Sequence, residues 1–583
     1  MSLPRYDWSI PPKSVEPPPF AAAHGLVASI WPLVALRFPE ATRDEASLQR
    51  LLAPRLADIT PPFEFPGIRE AAARLSEAID GAGDIVVFGD FDADGVTATA
   101  ILVSTIRSMG GRVRPFIPLR SEGYGLSDAA VARCLDGGVP DLLVTVDCGI
   151  TAGAALKRFA DLGTSIIVTD HHIPDGSLPE GAILAAPHLE TVPQQCRDLC
   201  GAGVAFTLAA GLVATRFPEK NDAGIAARHR LFSWLDALSI ATVADVVSLK
   251  GENRTFVTLG LRALNKCPSP GLRQLLLATM DGSDVTERHL GFVLGPHINS
   301  AGRMADASLA FELLIAQEQD DARALAIRLK QTNALRKGEC AKVDEAAAAQ
   351  IASPDIFDKE KDGAFVGAGD GWHQGVVGLA AAHAADRLCR PAALVAFSPG
   401  GDIGRGSVRG PAGYDVHAAL AECAEYLDAF GGHESAAGLS ITRDQLSAFR
   451  AAFSAACLRQ AGSTAVTPTL DIAARITLGE VNLDLLKAVT SLAPFGEGNE
   501  EPVFEIDGLT AKASILGRDV PKGLRLSLSD AAGATLEGLW FGAVDHLQDF
   551  RDHSRWDFAA TLLPDDYSGR HGVKLKIIDA RRA

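Results

Sequence analysis

The chain has 583 residues, 47% of them hydrophobic, with a net charge of −17 and nine cysteines that form no paired C-x-x-C spacings. That length suits roughly three or four domains with their own cores, and the cysteine usage excludes a disulfide framework. A run apolar enough to cross a membrane and a charged-then-apolar leader are both lacking, so the expected setting is cytoplasmic with no membrane. The acidic balance opposes a general nucleic-acid-binding surface, unless Arg and Lys line an inner groove and the acidic excess lies outside it.

Residues 1–60 begin Pro-rich (Pro11, Pro12, Pro17, Pro18, Pro19), turn helical in pattern and read as an N-terminal packing arm. From residue 85 short apolar runs at 85–88, 113–117, 142–146, 166–168 and 183–184 alternate with helical stretches. Such a series predicts an α/β domain built on a doubly wound parallel sheet. The first run leads into Gly89-Asp90-Phe91-Asp92-Ala93-Asp94-Gly95 and a helical pattern. Three carboxylates at alternate positions of a tight turn repel one another unless a cation neutralises them, and oxygen-rich sets suit Mg²⁺ or Mn²⁺. The competing reading, a solvated acidic turn with capping aspartates, loses because three more stretches repeat the arrangement. They are Val144 to Asp147, Ile166 to Asp170-His171-His172, and Ala241 to Asp245. Along the carboxyl edge of a parallel sheet these groups gather where such folds bind ligands. An Asp-rich set completed by His is what a two-metal phosphoesterase requires.

The loop Arg120-Ser121-Glu122-Gly123-Tyr124-Gly125 offers a cation and an aromatic, or is an ordinary surface loop. Gly201-Ala202-Gly203 opens a helix but lacks a phosphate-loop spacing, so close helix packing is the expected reason for its glycines. In Gly295-Pro296-His297-Ile298-Asn299-Ser300-Ala301-Gly302-Arg303 the guanidinium suits bidentate contact with a phosphate. Residues 321–351 carry helical spacing without Pro, giving one long helix or two broken near Gly338. A second α/β lobe follows, with Gly404-Arg405-Gly406-Ser407-Val408-Arg409-Gly410 as an anion-binding candidate. His433 in a Gly-rich turn reads as structural. Short strands from 467 to the end suit a small β-barrel of the oligonucleotide-binding type. Lys512, Arg518, Lys522, Arg525, Lys574 and Lys576 make it locally basic, and Trp540, Phe541 and Tyr567 either stack bases or fill the barrel core. A barrel of this kind is expected to be separable from the catalytic site.

The Asp-rich turn, Asp147-Cys148-Gly149, the triplet Asp170-His171-His172, Asn299 to Met304, Trp372 to Gly378, Gly431-Gly432-His433 and Pro494 to Asn499 occur in an order that resembles the DHH phosphoesterases. Within that superfamily the chain is similar to the RecJ-type exonucleases. The resemblance implies five regions: arm 1–60, DHH domain 61–320, connecting helix 321–351, DHHA1-type domain 352–462 and OB-like domain 467–583. It implies a metal-dependent exonuclease that degrades single-stranded DNA 5′→3′ to 5′-mononucleotides in recombination and repair. Two divalent ions, Mn²⁺ or Mg²⁺, are expected on Asp92, Asp94, Asp147, His171 and Asp245, with Asp147 bridging. Asp90 and His172 complete the catalytic set, His172 as a ligand or as a donor to the scissile phosphate. Arg120, Tyr124 and Arg303 are expected to hold substrate, and Ser407 with Arg409 the 5′-phosphate. Two departures stand out: His297 replaces an Arg, and Ala185-Ala186-Pro187 replaces an Asn-Pro. The implied partners are single-stranded DNA with a free 5′ end, a single-strand-binding protein and a helicase, around a monomer. The alternatives are a phosphodiesterase for short oligonucleotides or cyclic dinucleotides, and a non-catalytic single-strand-binding scaffold.

Overall fold

A computed structural model describes all residues except 1, 2, 4, 10–15, 175, 220, 463–466, 518, 519, 552, 553 and 566–571. Pro11, Pro12, Arg518 and Tyr567 therefore lie outside the described residues. The first sheet runs Arg112–Phe116, Asp84–Phe88, Leu142–Val146, Ser165–Thr169, Ile183–Ala185, all parallel, with the order reversing at Asp84–Phe88. Leu142–Val146 is buried along its whole length, as a central parallel strand covered on both faces must be. Thirteen of the sixteen residues of the helix Ala93–Ser108 are buried, which explains its richness in Val, Ile, Leu and Ala. These elements position the ends of the strands over one edge.

Gln319–Ile351 is one continuous helix of 33 residues, about 50 Å long, so the break considered at Gly338 does not occur. Nothing lies within 4 Å of where a Cβ on Gly338 would sit, and the lone Gly is simply carried on a solvated face. The second lobe is a five-stranded mixed sheet ordered Ala429–Gly432, Ala436–Thr442, Ile403–Arg409, Ala392–Phe397, Phe365–Asp370. The C-terminal strands close into a barrel because Phe504–Leu516 pairs with both Gly523–Ser529 and Arg555–Asp565. Trp540 is 1% exposed and belongs to the barrel core, which removes it as a stacking platform, whereas Phe541 is half exposed.

The arm and the barrel are one body. Ile30, Val34, Phe38 and Leu48 share a core with Phe504, Leu526, Trp540 and Phe558, and Asp7–Trp8 pairs in parallel with Thr469–Leu470. The fully buried Asp579 carboxylate accepts the backbone N–H of Arg5 and Tyr6 and the Trp8 indole. The buried Arg254 guanidinium joins this body to the first domain by donating to the carbonyls of Leu51 and Ala493, 2.9 Å each. A truncation after residue 467 would strip the arm's apolar face, so the barrel is not cleanly separable from the rest. Among the described residues no helix is long and apolar enough to cross a membrane.

Candidate metal centre and substrate cleft

The Asp-rich turn is built by capping. Asp92 is the N-cap of Ala93–Ser108, its Oδ1 accepting from the N–H of Asp94 (2.9 Å) and Gly95 (3.0 Å), which leaves Oδ2 free to face the cluster. Asp94 accepts from the N–H of Gly201 (2.6 Å) and Ala202 (2.9 Å), so the start of the helix Gly201–Arg216 points two donors at it. Gly201 has a further reason, since a Cβ there would lie 2.5 Å from the Cβ of Asp147. Packing alone, the sequence-based expectation for these glycines, therefore omits half of their role.

Asp147 follows its strand with φ of +58°, a strained setting for a non-Gly residue that aims its carboxylate into the cluster. His171 Nε2 lies 3.2 Å from Asp147 Oδ1, 3.5 Å from Asp245 Oδ2 and 3.9 Å from Asp94 Oδ2. Asp245 stands at the C-terminus of the helix Leu235–Ala244, not after a strand, so only part of the expected repetition holds; its strained neighbour Val246 (φ +58°) turns the chain away. The ligand-type atoms group as Asp90, Asp92 and Asp147, as Asp94, His171 and Asp245, and as Asp147, His171 and His172. Asp147 occurs in two of the three groups.

Electrostatics define what fits here. Burial, then the charges of Asp94, Asp92, Asp245 and Asp90, hold the Asp147 carboxyl well above the carboxylate range. Burial and Asp92 do the same to Asp90, and burial with Asp94 pushes Asp245 up to about 10. Burial lowers His171, keeping its imidazole neutral and able to ligate. Asp90 Oδ1, Asp147 Oδ1, Asp245 Oδ2 and His171 Nε2 are buried without a hydrogen-bond partner among the described residues. Unpaired buried acceptors converging within ion-binding distance fit hard divalent cations. Because these carboxyls hold protons that a cation must displace, affinity should rise with pH, by up to about tenfold per pH unit for each proton released. Calorimetry of Mn²⁺ binding in buffers of differing ionisation enthalpy checks this, and pH-independent affinity without proton release would contradict it.

Asp170, which sequence reasoning left unassigned, is an orienting group. Its Oδ2 accepts the Ile150 N–H and its Oδ1 accepts the N–H of His171 while pairing with His172 Nδ1 at 2.8 Å. Burial opposes a charged His172, but the hydrogen bond to Asp170 and its charge outweigh it and raise the pKa. The other ring nitrogen, Nε2, meets the Tyr124 hydroxyl at 2.9 Å. Asn299 was also missed as a support: its Oδ1 accepts the Ala93 N–H at 2.7 Å. His297 turns inward, Nδ1 to the Val293 carbonyl at 2.7 Å, so it bonds within its own helix.

Two arginines converge beside the carboxylates, and a third stands beyond them. Arg120 donates Nε to the Gly302 carbonyl (3.0 Å) and lies 4.3 Å from the Phe91 ring centroid. Arg303 reaches across to the Gly375 carbonyl of the second lobe, 3.3 Å, and its guanidinium is pushed down to about 10 by burial, then by Arg120 and by Arg409. Arg409 ends the strand Ile403–Arg409, and Gly378 keeps the space in front of it open, since a Cβ there would stand 3.1 Å from Arg409 Nη2 and 3.2 Å from Ser407 Oγ. Mutually repelling guanidinium groups make an anion cradle. A cleft of about 560 Å³ between the two lobes is lined by Arg120, Arg303, Trp372, His373 and Phe397.

Residues 84–233 match the DHH family N-terminal domain, residues 361–458 the DHHA1 domain and residues 472–579 the RecJ OB domain. The single-stranded-DNA-specific exonuclease RecJ of Dickeya dadantii is 33% identical over 91% of this chain and 92% of its own length. The Bacillus subtilis protein of the same name is 32% identical over 81% of this chain, which spans 58% of that longer relative. A crystal structure of RecJ in complex with Mn²⁺ from Thermus thermophilus superposes with a TM-score of 0.78 at 29% identity, covering 98% of this chain and 79% of that one. On this ground the chain belongs to the RecJ family within the DHH superfamily.

Proposed function

We infer that this protein is a metal-dependent exonuclease of single-stranded DNA, working 5′→3′ and releasing 5′-mononucleotides. The observation that carries the reading is the set of unpartnered buried acceptors on Asp90, Asp147, Asp245 and His171, with Arg120 and Arg303 beside it and Arg409 next to Arg303. Asp92, Asp94, Asp147, His171 and Asp245 would hold two divalent ions, with Asp147 placed to serve both and Asp90 supporting it. Ions held there supply a nucleophilic water at neutral pH and charge stabilisation of the leaving 3′ oxygen.

The chain's own groups do the rest. Arg303 and Arg120 hold the scissile phosphate against the carboxylate cluster, where their charge offsets the repulsion between DNA and protein. His172, fixed by Asp170, presents Nε2 with a proton to a phosphate oxygen or the departing 3′ oxygen. Tyr124 bears on His172 and on the nucleotide beside it. Ser407 and Arg409 take the terminal 5′-phosphate, so the bond cut is the next one along, and polarity follows from the end-binding lobe. A catalyst that needs a free 5′ single strand suits a helicase and a single-strand-binding protein as suppliers of its substrate.

The cyclic-dinucleotide reading does not explain a barrel sharing its core with the arm, and the scaffold reading does not explain a complete carboxylate set. The test is digestion of 5′- and 3′-end-labelled single strands with Mn²⁺. Immediate release of labelled mononucleotide from the 5′-labelled strand, with the 3′ label retained on shortening chains, is expected. Release first from the 3′-labelled strand, or cutting of duplex and single strand alike, would overturn the reading.

A further inference from the structure

The segment that touches both the helix carrying Asp245 and the body of the barrel bears an exposed aromatic side chain. Phe292 is 74% exposed although its helix otherwise buries Leu290 and Leu294. It lies in a five-residue π-helical stretch, Leu290–Leu294. Pro296, lacking an N–H, cannot donate to the Phe292 carbonyl, and the widened turn brings Phe292 outward. The Arg288 guanidinium sits 5.4 Å from the centroid of the Phe292 ring, one turn earlier on the same face.

Neighbours on both sides fix where this pair stands. On the metal side, a Cβ on Gly291 would lie 3.4 Å from Val243, and one on Gly295 would lie 2.9 Å from Ala244, the residue before Asp245. On the barrel side, Glu287 accepts the Phe495 N–H at 3.3 Å, and the Glu501 carboxyl, raised first by burial, feels the charges of Lys576, Glu287 and Arg288. Arg288 and Phe292 therefore stand between the body of the barrel and the helix end that carries Asp245. The helical path from Phe292 to Arg303 is on the order of 16 Å, the reach of about five stacked nucleotides.

We propose that Phe292, with Arg288 over its ring, is a base-stacking platform for the single strand on the 3′ side of the scissile bond, holding it between the barrel and the metal centre. The inference rests on the exonuclease reading above and assigns it a further substrate site. A bare aromatic face accepts any base, and the adjacent guanidinium is placed for the next phosphate, so the platform grips without selecting sequence. An apolar contact for a folded protein partner would not call for a cation placed over the ring.

The test uses the full chain carrying Asp147→Asn, which prevents digestion, and a fluorescent 5′-phosphorylated 20-mer read by anisotropy. Adding Phe292→Ala should weaken binding by about 5- to 150-fold, the equivalent of one lost stack. Scanning a single abasic site along the strand should find a position, a few nucleotides in, where base removal costs affinity with Phe292 present and costs nothing with Ala. Phe292→Trp should keep the affinity, and its indole fluorescence should change on binding. Equal affinity of the Phe and Ala proteins, or a loss that no abasic position reproduces, overturns the platform while leaving the nuclease reading intact. Failure of the Asp147→Asn protein itself to bind single strands overturns that reading and the platform with it.

Discussion

Asp147→Asn should lower single-strand digestion by on the order of 10³-fold or more, because it removes charge from the carboxylate shared by two of the three ligand groups. Asn is the informative substitution, since it tolerates the left-handed backbone at this position better than Ala does. Asp147→Ala should lose activity equally and cost about 1 kcal/mol more in stability from the strained φ. In neither case should the metal-free protein melt far below wild type. The Asp147 carboxyl is held well above its ordinary pKa by burial and by its acidic neighbours, so it opposes folding in its charged form. Circular dichroism and a binding isotherm for Mn²⁺ separate the outcomes. A folded Asn variant that keeps substantial nuclease activity would remove Asp147 from the centre of the mechanism.

Arg409→Ala is expected to produce the second largest effect, and a selective one. A charge-assisted bond from Arg to phosphate contributes about 1.5–3 kcal/mol, so kcat/KM on 5′-phosphorylated strands should fall roughly 10- to 150-fold. On strands ending in a 5′-hydroxyl the same change should cost much less, because the group it binds is already missing. Wild type and variant on the two substrates form a double cycle. Equal losses would move Arg409 from the chain end to the scissile phosphate, beside Arg303, whose guanidinium already feels its charge.

What could be read from sequence was what the chain encodes locally. The strand, acidic turn and helix at 85–108 announce themselves through a β-branched run, capping aspartates and an apolar helix, all within reach of one another. Leu142–Val146 and Asp147 were legible for the same reason. Asp245 was legible as a buried acid but not as a helix terminus, because a short apolar run reads alike in either conformation. The support given by Asn299, Gly201 and Asp170 depends on which backbone N–H groups come to face them, which only the folded chain decides. The same holds for the arm: nothing local to residues 1–60 signals that Phe38 and Val34 share a core with Phe558. Trp540 was undecided between core and surface because a barrel strand exposes and buries alternate residues, and one uncertain register reverses the answer. The acidic net charge, an objection to a DNA partner, is answered in the proposed reading by the local placement of Arg120, Arg303 and Arg409, which composition cannot report.

Every catalytic role assigned above depends on a two-ion centre sharing Asp147. Anomalous scattering from crystals of the wild-type protein soaked in Mn²⁺ tests it most directly. Two peaks roughly 3.5–4 Å apart, both in contact with the Asp147 carboxylate, are the expected result. A single peak, or two ions that do not share Asp147, would contradict it.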